Sequence, residues 1–166
     1  MPFPEGLAWV RYYLPLGGRP IPLAVLREAV LRSVLEMGGR TVDTVLSSCG
    51  SSGLRSGLKV TSISYSLGGE ERPVESWEIS LPPSELLDRV DEAVFTLRVD
   101  YYISRGGRLR RLASDTYRVR VRCGEAGVEV WVRHVEGLLR TSFDEIFEMF
   151  RVSLMKNLRL VQRRRA

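Results

Sequence analysis

The chain has 166 residues, of which 44% are hydrophobic and 27% charged, and its formal net charge is +5. This composition excludes a disordered tail, a collagen-like fibre and a coiled-coil rod. The length predicts a single domain over residues 1–166, and the order of its predicted elements indicates an α+β fold. No apolar run approaches the roughly 18 residues of a membrane-spanning helix, so no membrane partner is expected.

The N-terminal sequence and the cysteine content allow a prediction of the cellular compartment. The N-terminus lacks a basic start followed by an apolar stretch, so no secretory signal is indicated and we expect a cytoplasmic protein. Cys49 and Cys123 are far apart without CxxC spacing, which predicts reduced thiols and gives no zinc site. Amides are scarce, with one Asn and one Gln. This scarcity indicates a thermophilic source, in which Arg–Glu pairs are expected for stability alone.

The first half of the chain predicts strands around one helix. Hydrophobic patterning gives a strand over 7–16, a helix over 22–37, strands over 40–48, 58–67 and 74–81, and a Gly/Ser loop over 48–57. Pro22 lies in the first turn of the helix, and Gly38 and Gly39 follow its end. The helix is apolar nearly all round, so we expect either the last helix or a second chain to cover Leu23, Leu31 and Leu35.

The second half predicts a hairpin and a long closing helix. The elements are a short helix over 82–93, a strand over 94–104, a basic loop over 105–114, hairpin strands over 116–123 and 128–135, and a helix over 143–161. Ser142 and Glu145 form a capping box. The order β-α-β-β-β-α-β-β-β-α predicts a mainly antiparallel sheet with helices on one face. It contains β-α-β-β twice, near 9–67 and 77–123, as a topological pseudo-repeat.

A search for catalytic chemistry gives little. The single histidine, His134, ends an apolar row, and no sequence signature supplies a nucleophile or an orienting carboxylate. The Gly/Ser loop lacks the GxxxxGK[ST] pattern of a phosphate-binding loop. We therefore expect no catalytic residue, no metal and no cofactor, and we favour a non-enzymatic role.

The arginines between Arg98 and Arg122 are the most informative feature. This segment holds eight arginines and two aspartates, so it more than accounts for the net charge of the whole chain. A localised basic patch is typical of a protein that binds a polyanion.

Pairing of the hairpin predicts which side chains share a face. With residues 124–127 as the turn, alternate valines enter the core, and Arg122 faces Glu129, Arg120 faces Trp131, and Arg118 faces Arg133. Two opposed arginines need a third group, such as a neighbouring Asp100 or Tyr102, solvent, or a bound anion. The candidate binding residues are Arg98, Tyr102, Arg105, Arg108, Arg110, Arg111, Arg118, Arg120, Trp131 and Arg133.

Arginine and aromatic side chains on an open sheet favour a protein that binds RNA or single-stranded DNA, since bases stack on rings and guanidinium groups contact phosphates. The same face could be a solvated surface of ion pairs. The apolar first helix and the abundance of aromatic residues favour, as an alternative, a small-ligand protein or enzyme with a cavity between sheet and helix. In outline only, a closing helix over a curved antiparallel sheet resembles helix-grip ligand carriers. A third hypothesis is a structural subunit that associates through helix 22–37.

Overall fold

The computed structural model describes residues 9–17, 21–47, 54–67, 70–73, 92–124 and 126–165. Its strands are β1 (Val10–Pro15), β2 (Thr41–Ser47), β3 (Leu54–Leu67), β4 (Glu70–Pro73), β5 (Glu92–Arg105), β6 (Arg108–Cys123) and β7 (Gly127–Glu136). Its helices are α1 (Leu23–Leu35) and α2 (Phe143–Arg165). The predicted class, an α+β fold with a long C-terminal helix, is confirmed.

One antiparallel sheet contains all seven described strands, in the order β1-β7-β6-β5-β3-β2, with β4 paired to β3. The central hairpins join β5 to β6 and β6 to β7. Because β1 and β2 lie at opposite edges, the connection through α1 must cross the sheet. This crossing places α1 against the same face of the sheet as α2.

Both helices cover this face, which we call the inner face. Its core side chains alternate along β5, β6 and β7, as a period of two requires. The fully buried members include Phe95, Leu97, Val119, Val121, Val130 and Val132. The predicted placement on one side of the sheet is therefore confirmed for α1 and α2, the two helices that the structure describes.

Helix α1 is covered within the chain. Leu31 and Leu35 are fully buried, whereas Leu23 in the first turn is 45% exposed. Asn157 of α2 donates a hydrogen bond to the Ser33 hydroxyl of α1. Of the two expectations for this helix, contact with the last helix is the one observed, and the burial of α1 does not require a second chain.

The start of α2 is fixed to the edge of the sheet. The backbone N–H of Glu145 donates to the Ser142 hydroxyl, which is one half of the predicted capping box, whereas the Glu145 carboxylate pairs with Lys59. Tyr12 of β1 donates to Asp144 over 2.6 Å, and its ring stacks on Phe147. Burial and this hydrogen bond to a carboxylate raise the pKa of Tyr12 to about 12.

The predicted basic loop over 105–114 is wrong. Gly106 and Gly107, with φ of 57° and 78°, form a tight turn, and β6 begins directly after it at Arg108. Tyr101 pairs with Ala113 but Tyr102 pairs with Arg111, so Leu112 is an additional residue at a β-bulge. The bulge breaks the period of two, which is why this strand looks irregular in the sequence.

Other predictions differ in extent or fall outside the described residues. Strand β3 begins at Leu54, before the predicted position 58, and the short strand β4 was not predicted. The predicted strand over 74–81, nearly all of the helix over 82–93, Cys49 and part of the second pseudo-repeat lie outside the described residues. Within the described part of the chain, no helix is long and apolar enough to cross a membrane.

Candidate ligand groove and basic face

The β6–β7 hairpin has the register predicted from the sequence. Its arginines lie on the face of the sheet opposite the helices, which we call the outer face. Arg118 pairs with Arg133, Arg120 with Trp131, and Arg122 with Glu129. These pairs alternate with buried valines on the inner face. Arg118, Arg120, Trp131 and Arg133 therefore lie together, and we call these four residues the Arg/Trp cluster.

Guanidinium groups of the chain itself lie over the two tryptophan rings that the structure describes. Cζ of Arg120 is 4.8 Å from the ring centroid of Trp131, and Cζ of Arg133 is 5.4 Å from that of Trp9. Such contacts stabilise a half-buried cation by its attraction to the negative ring face. A nucleic-acid base that stacked on Trp131 from the side of Arg120 would have to displace that guanidinium.

Carboxylates on the outer face have partners of their own. Asp100 accepts a hydrogen bond of 3.0 Å from Arg98, in its own strand. Glu129 faces Arg122 as predicted, but its ion pair at 2.7 Å is with Arg11. The hydrogen bond from Arg11 holds the pKa of Glu129 below its ordinary value.

Arg98 lies beside the Arg/Trp cluster, because it pairs with Thr116, two residues from Arg118. The other predicted arginines lie apart from this cluster. The β6–β7 ladder ends at the pair Thr116 and Glu136, whereas β5 and β6 continue to Arg105 and Arg108. This extension, residues 104–111, is here named the basic arm. At about 3.3 Å per strand residue, Arg111 lies roughly 20 Å along the strand from Arg118. The ten predicted residues therefore form two sites.

On the basic arm the charges face solvent. Arg108, Arg110 and Arg111 are exposed, as is Leu109. Among the described residues, no carboxylate forms an ion pair with any of these three arginines. Tyr102 pairs with Arg111 across the bulge and is half-buried.

On the inner face an open groove of about 340 Å³ lies between the sheet and the first half of α2. Its walls are mainly apolar and come from β2, β3, β5 and α2. The apolar lining residues are Val42, Leu97, Val99, Ile146, Met149 and Val152. Val42 and Val152 are each about half exposed, so the groove presents apolar surface to water.

A few polar groups also line the groove. Thr61 and Thr141 are almost fully buried. Lys59 forms an ion pair with Glu145 at 2.9 Å, with only 15% of the lysine side chain exposed. Arg40 and Glu148 complete the polar lining. An apolar cleft with a small number of fixed polar groups is the common form of a small-molecule site.

Behind one end of the groove lies a buried polar cluster around Asp115. Its carboxylate is fully buried and accepts hydrogen bonds from the Tyr101 hydroxyl and from the backbone N–H groups of Leu139 and Arg140. Nε2 of His134 lies 3.1 Å away. Burial acts to raise the pKa of Asp115, but these hydrogen bonds outweigh it and hold the pKa below its ordinary value.

The cluster fixes the connection between β7 and α2. Tyr101 also contacts the Thr141 hydroxyl, and Tyr117 donates to the Thr141 carbonyl. Burial raises the pKa of both tyrosines, so both stay protonated at neutral pH. His134 therefore does have a carboxylate partner, contrary to the sequence-based expectation. The partners of Asp115 are donors that anchor a loop, which gives the carboxylate a structural role.

No protein-family model, curated protein sequence or solved structure matches this chain. Function must therefore be inferred from the chain's own residues.

Proposed function

We propose that this protein binds a small, predominantly apolar molecule in the groove between the sheet and α2. The observation that carries the proposal is an open apolar groove of about 340 Å³ with a few polar side chains at its walls. This volume lies within the range of about 300–1,000 Å³ of ordinary ligand sites. Covering the exposed parts of Val42 and Val152 would supply the hydrophobic free energy of binding.

We favour the groove over the Arg/Trp cluster because the apolar surface of the groove is open to solvent, whereas the ring of Trp131 is already covered. The ring of Trp131 already has the guanidinium of Arg120 over it. The apolar side chains Val42 and Val152 remain open to solvent. A ligand of the groove therefore gains contact without displacing an existing one.

The test is a titration with Nile red, a neutral dye whose emission rises in apolar surroundings. We expect saturable binding of one dye per chain. Val152→Trp would fill the groove and should weaken binding by about tenfold or more. Leu160→Trp is the matched control, since Leu160 is similarly exposed on the same helix but does not line the groove. Equal binding by wild type and Val152→Trp would overturn the proposal.

A second candidate function is the binding of single-stranded nucleic acid, and the basic arm is the observation that favours it. Arg108, Arg110 and Arg111 are exposed, with no ion pair to a carboxylate among the described residues. Clustered, solvent-facing arginines suit phosphate groups.

A further inference from the structure

Around the groove, the neighbouring carboxylates are each paired with a cation other than Arg40. Glu145 pairs with Lys59, and Glu148 pairs with Arg151. Glu36, whose backbone carbonyl contacts Arg40, directs its carboxylate to Lys156 at 2.9 Å. Within the described part of the chain, Arg40 therefore has no carboxylate partner.

Arg40 is nevertheless held in a fixed position by neutral groups. Its Nε donates to the Glu36 carbonyl over 2.8 Å, and its Nη2 donates to the Ser153 hydroxyl over 2.7 Å. Its backbone N–H donates to the Thr61 hydroxyl. The guanidinium group is thus held by the C-terminal end of α1 and by α2, and the backbone of the same residue is held by the sheet.

The surroundings of Arg40 make an anion favourable there. The residue is half-buried and lines a groove whose other walls are mainly apolar. A positive charge removed from water without an opposite charge is costly, and a bound anion offsets that cost. A guanidinium with free N–H groups also matches the geometry of a carboxylate.

We propose that the ligand of the groove is an amphipathic organic acid, with its carboxylate on Arg40 and its apolar part along Val99, Ile146 and Val152. This inference rests on the proposed function and adds the chemical class of the ligand. Lys59 is the other cation of the lining, but its charge is already matched by Glu145. Arg40 is therefore the residue that selects acids over neutral molecules of the same shape.

The experiment compares decanoate with decan-1-ol, which share an alkyl chain and differ in the head group. Calorimetric titration of the full chain should show decanoate binding about tenfold or more tightly than decan-1-ol. Arg40→Met should remove that preference by weakening decanoate, with decan-1-ol affinity changed by less than about twofold. Arg40→Lys should retain part of the preference, since it keeps the charge and loses the forked geometry.

Arg122→Met is the matched control, because it removes one positive charge from an exposed position on the outer face, outside the groove, and should leave both affinities unchanged. Decan-1-ol binding by Arg40→Met also reports that the variant is folded with an intact groove. Equal binding of acid and alcohol by the wild type, or an Arg40→Met variant that still prefers decanoate, overturns this inference and leaves the proposed function standing. Absence of binding by both compounds overturns both.

Discussion

The hydroxyl of Tyr101 lies 2.8 Å from Oδ2 of Asp115, and neither residue is exposed to solvent. The pair joins β5 to β6 on the inner face and lies beside the loop that leads into α2. Because the same carboxylate also accepts the N–H groups of Leu139 and Arg140, one side chain connects the sheet to the start of the closing helix.

Asp115→Asn should lower the free energy of unfolding by about 2–4 kcal/mol, since an amide replaces a charged acceptor and turns a donor toward the N–H groups. Urea-induced unfolding measures the change. Asp43→Asn, at an exposed position of β2, is the control and should change little. A loss of less than about 0.5 kcal/mol would contradict the anchoring role assigned to Asp115.

Acid should weaken the fold through the same carboxylate. Hydrogen bonds hold the pKa of Asp115 below the ordinary value of 3.8. A depressed folded-state pKa contributes stability that is complete above the unfolded pKa and is lost as pH falls through the folded pKa. Unfolding free energies measured below pH about 4 should therefore fall more steeply in the wild type than in Asp115→Asn. Parallel pH profiles would show that another group dominates.

Gly137→Ala should be among the more damaging single changes in the chain. A Cβ at Gly137 would lie 2.1 Å from Oδ1 of Asp115, and the residue has φ of +106°. Gly39→Ala separates the two effects, because Gly39 has φ of +72° but open space around its Cβ position. We expect a loss of about 1 kcal/mol for Gly39→Ala and clearly more for Gly137→Ala, by thermal or urea unfolding. Equal losses would assign the whole effect to backbone strain.

The β6–β7 register could be predicted from the sequence because valine alternates with polar residues on both strands, so one register buries every valine. Beyond Thr116 the alternation fails at the bulge opposite Tyr101 and Tyr102. The sequence pattern consequently predicts a loop over 105–114, where the structure has a tight turn and the first part of β6. The pair Gly106-Gly107 between two strand-like segments is the sequence feature that could have predicted the hairpin turn.

A cavity between the sheet and the closing helix is one of the hypotheses from the sequence, but the residues that line the groove could not be predicted, since its walls come from elements far apart in sequence. Arg40 follows α1, Lys59 lies in β3, and Val152 lies in α2. Their proximity depends on the strand order across the sheet, which hairpin rules do not give. The burial of Asp115 could have been predicted from the sequence, because strand alternation places it on the same face as the buried residues Tyr117 and Val119. A carboxylate on the core-facing side of a strand needs several hydrogen-bond donors around it.

Removal of charge from the basic arm tests the second candidate function. If single-stranded nucleic acid binds there, the triple change Arg108→Gln, Arg110→Gln and Arg111→Gln should weaken binding to any sequence. Each phosphate contact contributes about 0.7 to the slope of log affinity against log salt, so the slope should fall by roughly 2. The measurement is fluorescence anisotropy of a labelled oligonucleotide between about 50 and 200 mM salt.

The Arg/Trp cluster provides the comparison for this experiment. Arg118→Gln with Arg133→Gln removes two charges from the outer face, and Trp131→Ala removes the ring that a base would use. If bases stack on the sheet, these changes should lower the salt slope by roughly 1.5 and cost about 1–3 kcal/mol of binding, respectively. Because Arg120 already lies over Trp131, we expect the arm variant to lose more affinity than either face variant. A larger loss from the face variants would transfer the site to the Arg/Trp cluster, and a wild type without salt-dependent binding would exclude nucleic acid at both.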